Sequence, residues 1–160
     1  MNEEIIFTPW RYEYVSKVDE SKGCIFCEKQ AEKKDRENLI VHRGECCFAI
    51  LNMYPYSSGH LMIAPYEHTG TIEGLDAETL GDMMSLAQRC MRAIREAFGP
   101  DGFNLGINIA RVAGAGITDH VHMHVVPRWA GDSNFMPVCA GTRVLPLALD
   151  DVWLALSDRI

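Results

Sequence analysis

Three histidines near the C-terminal third of the chain, His120, His122 and His124, alternate with apolar residues. Because side chains of a β-strand alternate between its two faces, the pattern predicts a strand with all three imidazoles on one face. A rise of about 3.3 Å per residue would place neighbouring rings ~6.5–7 Å apart. The opposite face would carry Val121, Met123 and Val125. Such a row suits a metal, or an imidazole nucleophile with imidazole helpers.

The residues alone leave three interpretations of this row. The row could form a polar strand edge that faces solvent, a three-histidine zinc site, or an imidazole nucleophile with supporting histidines. Parallel side-chain directions along one strand disfavour convergence on a single ion. We favour the nucleophile, because neutral imidazole attacks phosphorus well. The turn from Gly114 to Gly116 would let backbone N–H groups approach phosphate oxygens.

Charge and length restrict the class of partner. A chain of 160 residues predicts one domain with its own core. A formal net charge of −7 argues against a surface that tracks DNA or RNA phosphates, although a few local donors can still bind a small nucleotide. The sequence lacks a membrane-length apolar stretch and a secretory pattern at its start, so we expect a cytoplasmic location.

The hydrophobic pattern predicts an α+β fold with a mostly antiparallel sheet. One long helix is expected between Asp76, a suitable N-cap, and Gly99-Pro100, which would end it. A short C-terminal helix is expected over 150–157, and the charged stretch 28–37 predicts a solvated helix turn or two. Strands are expected over 39–42, 46–51, 60–64, 103–110 and 120–126.

Two of the six cysteines, Cys24 and Cys27, form a Cys-x₂-Cys knuckle. From the residues alone the knuckle is a pair of buried thiols, a redox dithiol, or half of a zinc site that needs two further ligands. The remaining cysteines are interpreted as reduced packing residues; they are Cys46, Cys47, Cys90 and Cys139.

The run 120–126, His-Val-His-Met-His-Val-Val, resembles the signature of the histidine-triad (HIT) family, His-φ-His-φ-His-φ-φ. Segments 48–52 and 59–65 are similar to the first half of that family, and 127–137 is similar to its diadenosine tetraphosphate (Ap4A) phosphorylase branch. The resemblance implies a single HIT domain over 1–160. It would comprise an N-terminal arm (1–37), a core (38–137) and a C-terminal segment (138–160).

The resemblance also implies a homodimer that binds a nucleotide and cleaves its substrate at the α-phosphate. The net charge and the lack of a long apolar stretch predict that neither a nucleic acid nor a membrane is a partner. By position, His122 would be the nucleophile that forms a nucleotidyl-histidine intermediate. His124 would bond the phosphate or the departing group, and His120 would orient the site. Asn52 matches the ribose-binding asparagine, and His60 matches a histidine that supports the triad from behind.

Phosphate and pocket contacts follow the family less closely. Ile117 stands where phosphoramidase-type members typically have serine, so we expect the backbone amides of Gly116 and Thr118 to contact phosphate instead. The branch resemblance places Trp129 and Asn134 at the pocket. A packed aromatic ring and a turn residue are equally good interpretations of these two positions.

In family members with a cysteine knuckle, two histidines complete a metal site. The resemblance therefore implies a structural zinc bound by Cys24, Cys27, His68 and His120. A closed four-ligand site of this kind would not be catalytic. Cleavage of Ap4A-like dinucleotides, with phosphate or water as acceptor, is the leading hypothesis. An adenosine phosphoramidase of the same fold and a non-catalytic nucleotide-binding module are the alternatives.

Overall fold

The computed structural model describes residues 23–132 and 145–160, which form three α-helices and one five-stranded antiparallel sheet. The predicted α+β fold is therefore confirmed. In chain order the elements are α1 (Ile25–Ala31), β1 (Ile40–Arg43), β2 (Cys47–Leu51), β3 (Leu61–Pro65), α2 (Ala77–Phe98), β4 (Gly102–Ile107), β5 (Met123–Arg128) and α3 (Leu149–Ser157). A 3-10 turn at Arg111–Ala113 follows β4.

The sheet has the order β1-β2-β3-β5-β4, and each neighbouring pair is antiparallel. Strand β5 therefore lies between two partners, with His124 opposite Met62 on β3 and opposite Gly106 on β4. Strands β1 and β2 form a hairpin, and Gly44 N–H donates to the Cys47 carbonyl at 2.8 Å across its turn. This order places His124 in the interior of the sheet.

Helix α2 forms where local signals at both ends predict it. The Asp76 side chain accepts a hydrogen bond from Thr79 N–H at 2.7 Å, which satisfies one of the first unpaired amides of the helix. Gly99 ends the helix with φ of 58°, a left-handed conformation that glycine adopts without steric cost. In the part of the chain that the structure describes, no helix has the length and apolar character needed to cross a membrane.

Alternation along the strands divides the core into two layers. On one face of the sheet, Val121, Met123 and Val125 belong to the large core that includes the buried side of α2. On the other face, Phe26 of α1 packs with Phe48 and other buried residues of the strands. The histidines alternate with the first set, so their side chains belong to the face that α1 covers.

The regular strand begins later than the sequence predicted. Strand β5 starts at Met123, whose pairing with Ile63 is the last contact of the β3–β5 ladder, so His120 and His122 precede it. Just before the ladder, Val121 N–H donates to the Thr69 carbonyl at 2.6 Å instead of to β3. Residue 121 is therefore bonded to the loop after β3, and not to the strand itself.

Packing of α2 gives a testable stability difference between adjacent residues. Met83 is 1% exposed and Met84 is 51% exposed, so the same substitution creates a cavity at only one of them. We expect Met83→Ala to lower the free energy of unfolding by about 2–5 kcal/mol, and Met84→Ala by about 0.5 kcal/mol or less. Urea unfolding followed by circular dichroism measures both. Equal losses would contradict this packing of α2.

Candidate active site

The His122 side chain is 4% exposed, and its Nδ1 lies 2.9 Å from the backbone carbonyl oxygen of His120. A carbonyl only accepts hydrogen bonds, so Nδ1 carries the proton and donates it. In the neutral ring Nε2 then bears the lone pair. Burial lowers the pKa of His122, and the hydrogen bond to the His120 carbonyl partly opposes this shift. The neutral form with a nucleophilic Nε2 is therefore favoured near neutral pH.

His124 belongs to a second hydrogen-bond chain, which begins at a backbone amide. Tyr56 N–H donates to His60 Nδ1 at 3.1 Å, so that nitrogen carries no proton. His60 Nε2 then donates to His124 Nδ1 at 2.9 Å, which leaves the proton of neutral His124 on Nε2. This series of hydrogen bonds therefore leaves His124 Nε2–H as a hydrogen-bond donor beside His122.

His120 has its two ring nitrogens directed to different partners. Nε2 lies 2.9 Å from the carbonyl oxygen of Pro65 and must donate to it. Nδ1 is consequently a lone-pair nitrogen, and it lies 3.2 Å from Cys24 Sγ. A histidine that donates one N–H to a carbonyl while the other nitrogen faces soft donors has the usual orientation of a metal ligand.

Four side chains meet around that nitrogen, with all their ligand atoms within 4.8 Å of one another. We call this group the Cys/His cluster; its members are Cys24, Cys27, His68 and His120. His120 Nδ1 lies 3.5 Å from Cys27 Sγ and 3.3 Å from His68 Nδ1. Tetrahedral zinc with Zn–S of about 2.3 Å and Zn–N of about 2.0–2.1 Å would separate its ligand atoms by roughly 3.3–3.8 Å. The donor set and its spacing therefore fit zinc.

The rings of His122 and His124 are closer than the strand spacing predicted. Their centroids are 4.9 Å apart with the planes at 70°, so the predicted separation of ~6.5–7 Å is wrong. The estimate assumed a regular strand with parallel side chains, whereas His122 lies outside the ladder and its ring meets His124 edge to face. Two imidazoles at this separation can act on the same phosphate group.

Phe26 is the main contact that the sequence analysis missed. Its ring centroid lies 5.1 Å from that of His120 and 4.9 Å from that of His122. Because Phe26 stands between Cys24 and Cys27, the cysteine knuckle itself was the signal that this residue lies beside the histidines. Tyr56 was also missed; its ring lies tilted against that of His60, with 4.7 Å between centroids, and no motif in the sequence marks it.

A cleft that is open to solvent lies beside Phe26, the residue that contacts His120 and His122. Its walls are mostly apolar, and its lining comprises Ile25, Phe26, Lys29, Ile50, Leu51, Asn52, Met53, Tyr54, Met62 and Ile117. Asn52 is oriented there by Tyr54 N–H, which donates to its Oδ1 at 2.9 Å. Apolar walls with a few oriented polar groups are typical of sites for flat organic ligands such as nucleobases.

The remaining predicted residues are less closely associated with the histidines. Thr118 donates its hydroxyl hydrogen bond to Asp119 at 3.0 Å, and Gly116 precedes Ile117 of the cleft wall. Trp129 is half-buried outside the cleft lining, and its backbone N–H donates to Asp132 at 3.2 Å. Asn134, Cys139 and the N-terminal arm up to residue 22 lie outside the described residues.

Comparison with known proteins is consistent with this geometry. The sequence profile described as the HIT domain matches residues 33–131. A protein of Mycobacterium tuberculosis named AP-4-A phosphorylase is 35% identical over 161 residues, which cover 96% of this chain and 83% of that protein. An adenosine 5'-monophosphoramidase of Schizosaccharomyces pombe is 31% identical over 106 residues, covering 66% of this chain and 74% of that protein.

A solved structure shares both the fold and most of the chain length. It is described as a Zn-bound histidine triad family protein from Mycobacterium smegmatis. The two structures superpose with a TM-score of 0.69 at 28% sequence identity, and the match covers 86% of this chain and 92% of the other.

Proposed function

Because the chain belongs to the HIT domain family, we propose that it is an enzyme that cleaves dinucleoside polyphosphates such as Ap4A at the α-phosphate. The observation that carries this proposal is the pair of opposite ring states in adjacent histidines. His122 presents a lone pair on Nε2, and His124 presents a proton on Nε2. A nucleophile and a proton donor within one site are what substitution at phosphorus with a nucleotide leaving group requires.

In the first step, His122 Nε2 attacks the α-phosphorus and forms an N–P bond. The bond from phosphorus to the bridging oxygen breaks, and ATP leaves from Ap4A with its oxygen protonated or hydrogen-bonded by His124 Nε2–H. The Nδ1–H bond to the His120 carbonyl stabilises the positive charge that develops on the attacking ring. AMP remains attached to His122.

In the second step, an acceptor attacks the same phosphorus and releases His122. Phosphate as the acceptor gives ADP, and water gives AMP. Similarity to the AP-4-A phosphorylase over nearly the whole chain favours phosphate. In this scheme the cleft binds the nucleoside, and Asn52 bonds the ribose hydroxyls. The backbone amides of Gly116 and Thr118 contact phosphate, and the predicted pocket contacts of Trp129 and Asn134 also belong to the proposal.

We propose further that the Cys/His cluster binds one structural zinc ion. With four protein ligands, such an ion has no open coordination position, so it would supply stability and orientation instead of reactivity. The Zn-bound neighbour from Mycobacterium smegmatis supports this assignment. The expected homodimer, the cytoplasmic location and the single domain over 1–160 belong to the same proposal.

Product analysis with and without phosphate tests the acceptor. We expect Ap4A and the purified protein to yield ADP and ATP in phosphate buffer, and little product in a phosphate-free buffer of equal ionic strength. Anion-exchange chromatography separates the products. AMP and ATP in both buffers would contradict phosphorolysis and indicate water as acceptor. Absence of product in both would contradict the proposed function.

The second candidate function is that of a phosphoramidase, an enzyme that would hydrolyse an adenosine phosphoramidate. The relative from Schizosaccharomyces pombe named as a monophosphoramidase favours it, whereas Ile117 disfavours it because the serine typical of that branch is missing. Faster turnover of adenosine phosphoramidate than of Ap4A under identical conditions would select this second function.

A further inference from the structure

Helix α1 places one aromatic ring against the proposed nucleophile. Phe26 is 1% exposed, and its ring centroid lies 4.9 Å from that of His122, with the two planes tilted by 43°. Its centroid also lies 5.1 Å from that of His120. Among the described residues, His122 has one further ring contact, with His124. The imidazole that would attack phosphorus therefore packs directly against Phe26.

The backbone hydrogen bond of His122 does not fix its ring completely. Nδ1–H donates to the His120 carbonyl oxygen, and a single bond of this kind holds one ring atom but leaves the ring plane able to tilt. The Nε2 lone pair lies in that plane, so a tilt changes the direction in which the lone pair points. Because reacting atoms have to be closely aligned, a displacement of about 1 Å can cost roughly a hundredfold in rate.

The surroundings of Phe26 hold its own ring in place. Cys24 and Cys27 flank it in the sequence, and their sulfur atoms lie 3.2 and 3.5 Å from His120 Nδ1. In the core, Phe48 meets the Phe26 ring edge to face, with 6.4 Å between centroids. Phe26 is therefore tethered on both sides in sequence and packed against the sheet, which makes it a fixed element of the site.

We propose that Phe26 is a positioning residue, which restricts the tilt of the His122 ring and so aligns its Nε2 with the α-phosphorus. The role requires the aromatic ring, because a flexible aliphatic side chain contacts an imidazole without fixing its plane. The inference rests on the proposed function, since it takes His122 as the nucleophile. Phe26 also lines the cleft, so its effect on binding has to be measured apart from its effect on the reaction.

Formation of the AMP adduct in a single turnover at saturating Ap4A measures alignment apart from binding. We expect F26L to slow this step by about tenfold to a hundredfold. F48L is the matched control, because Phe48 is a buried ring of the same core cluster, and its ring contacts within the described residues are with Phe26 and Tyr66. F48L should react within about threefold of the wild type, since it leaves the contact with the nucleophile in place. Urea unfolding should show similar losses of stability in both variants.

The ring nitrogens of His122 give a second readout that requires no turnover. Long-range proton–nitrogen correlation spectra, recorded at a pH where the ring is neutral, distinguish the protonated nitrogen from the lone-pair nitrogen. The wild type and F48L should show mainly the Nδ1–H tautomer, because the His120 carbonyl accepts that proton. In F26L a tilting ring should break this bond part of the time, so the shifts of the two nitrogens should move towards each other. F26M replaces F26L in both measurements if the latter does not fold.

Three results would each overturn the inference. They are an adduct rate in F26L within about threefold of the wild type, an equal fall in F48L, and unchanged nitrogen shifts of His122 in F26L. Any of them, together with adduct formation by the wild type, leaves the proposed function intact. If the wild type forms no adduct, the proposed function fails, and the nitrogen shifts alone decide whether Phe26 fixes the ring.

Discussion

Replacement of His122 by Asn is expected to lower turnover of Ap4A by roughly 10⁴- to 10⁶-fold, the range seen when an enzyme loses its nucleophile. Asparagine is close to imidazole in volume but has no lone-pair nitrogen that can form the N–P bond. Binding of nucleotide should change only a few-fold, because Asn52 and the walls of the cleft remain. Steady-state turnover and calorimetric binding together measure both parts of this expectation.

A covalent intermediate gives an independent readout. Acid-free quenching of the wild type, followed by intact-mass spectrometry, should show a protein carrying one AMP, and His122→Asn should show none. His42→Asn is the matched control, since His42 lies near Asp82 and Arg89 of α2, on the other face of the sheet. Turnover of His122→Asn within tenfold of the wild type would rule out His122 as the nucleophile.

Removal of the proposed zinc is expected to have the second large effect. Protein purified without chelators should contain about one zinc per chain, and Cys27→Ser should contain little, because a hydroxyl is a poor zinc ligand compared with a thiolate. With free zinc at about 1,000 times the dissociation constant, loss of the site costs about 4 kcal/mol of unfolding free energy. Metal analysis and denaturant unfolding measure these two quantities.

Cys46→Ser is the matched control for this variant. Cys46 is half-buried and lies outside the Cys/His cluster, so its replacement should leave the zinc content unchanged. Zinc-free wild-type protein, or a Cys27→Ser protein that retains zinc, would contradict the assignment. In either case Cys24 and Cys27 would be packing residues at the start of α1.

Elements with local signals could be predicted from the sequence. Helix α2 was predicted from its capping aspartate and terminal glycine, and both perform those roles in the structure. The strands were predicted within one to three residues of their bounds, because buried strands contain continuous apolar runs. Helix α1 was less clear: the expected turns over 28–37 began too late, since the helix starts at Ile25 inside the cysteine knuckle.

The ring states of the histidines could not be predicted, because each depends on a backbone group that no sequence motif marks. The Pro65 carbonyl sets the tautomer of His120, and the Tyr56 amide sets that of His60. These partners are 55 residues and 4 residues away in sequence, respectively, and neither has a side-chain motif. The alternation of the histidines correctly indicated which face of the sheet their side chains share. The distance between the rings of His122 and His124 depends on where the strand pairing begins, which the sequence does not reveal.

The sequence separation of the residues that meet at His120 also affects when the site can form during protein synthesis. Cys24 and His120 are 96 residues apart, and closing a loop of that length costs on the order of 4 kcal/mol of chain entropy. A nascent chain that ends before residue 120 lacks the complete ligand set, and one that ends before residue 124 lacks His124 of the histidine pair. In the proposed mechanism, nucleotide chemistry therefore begins only after the last strand of the sheet has left the ribosome and paired with its neighbours.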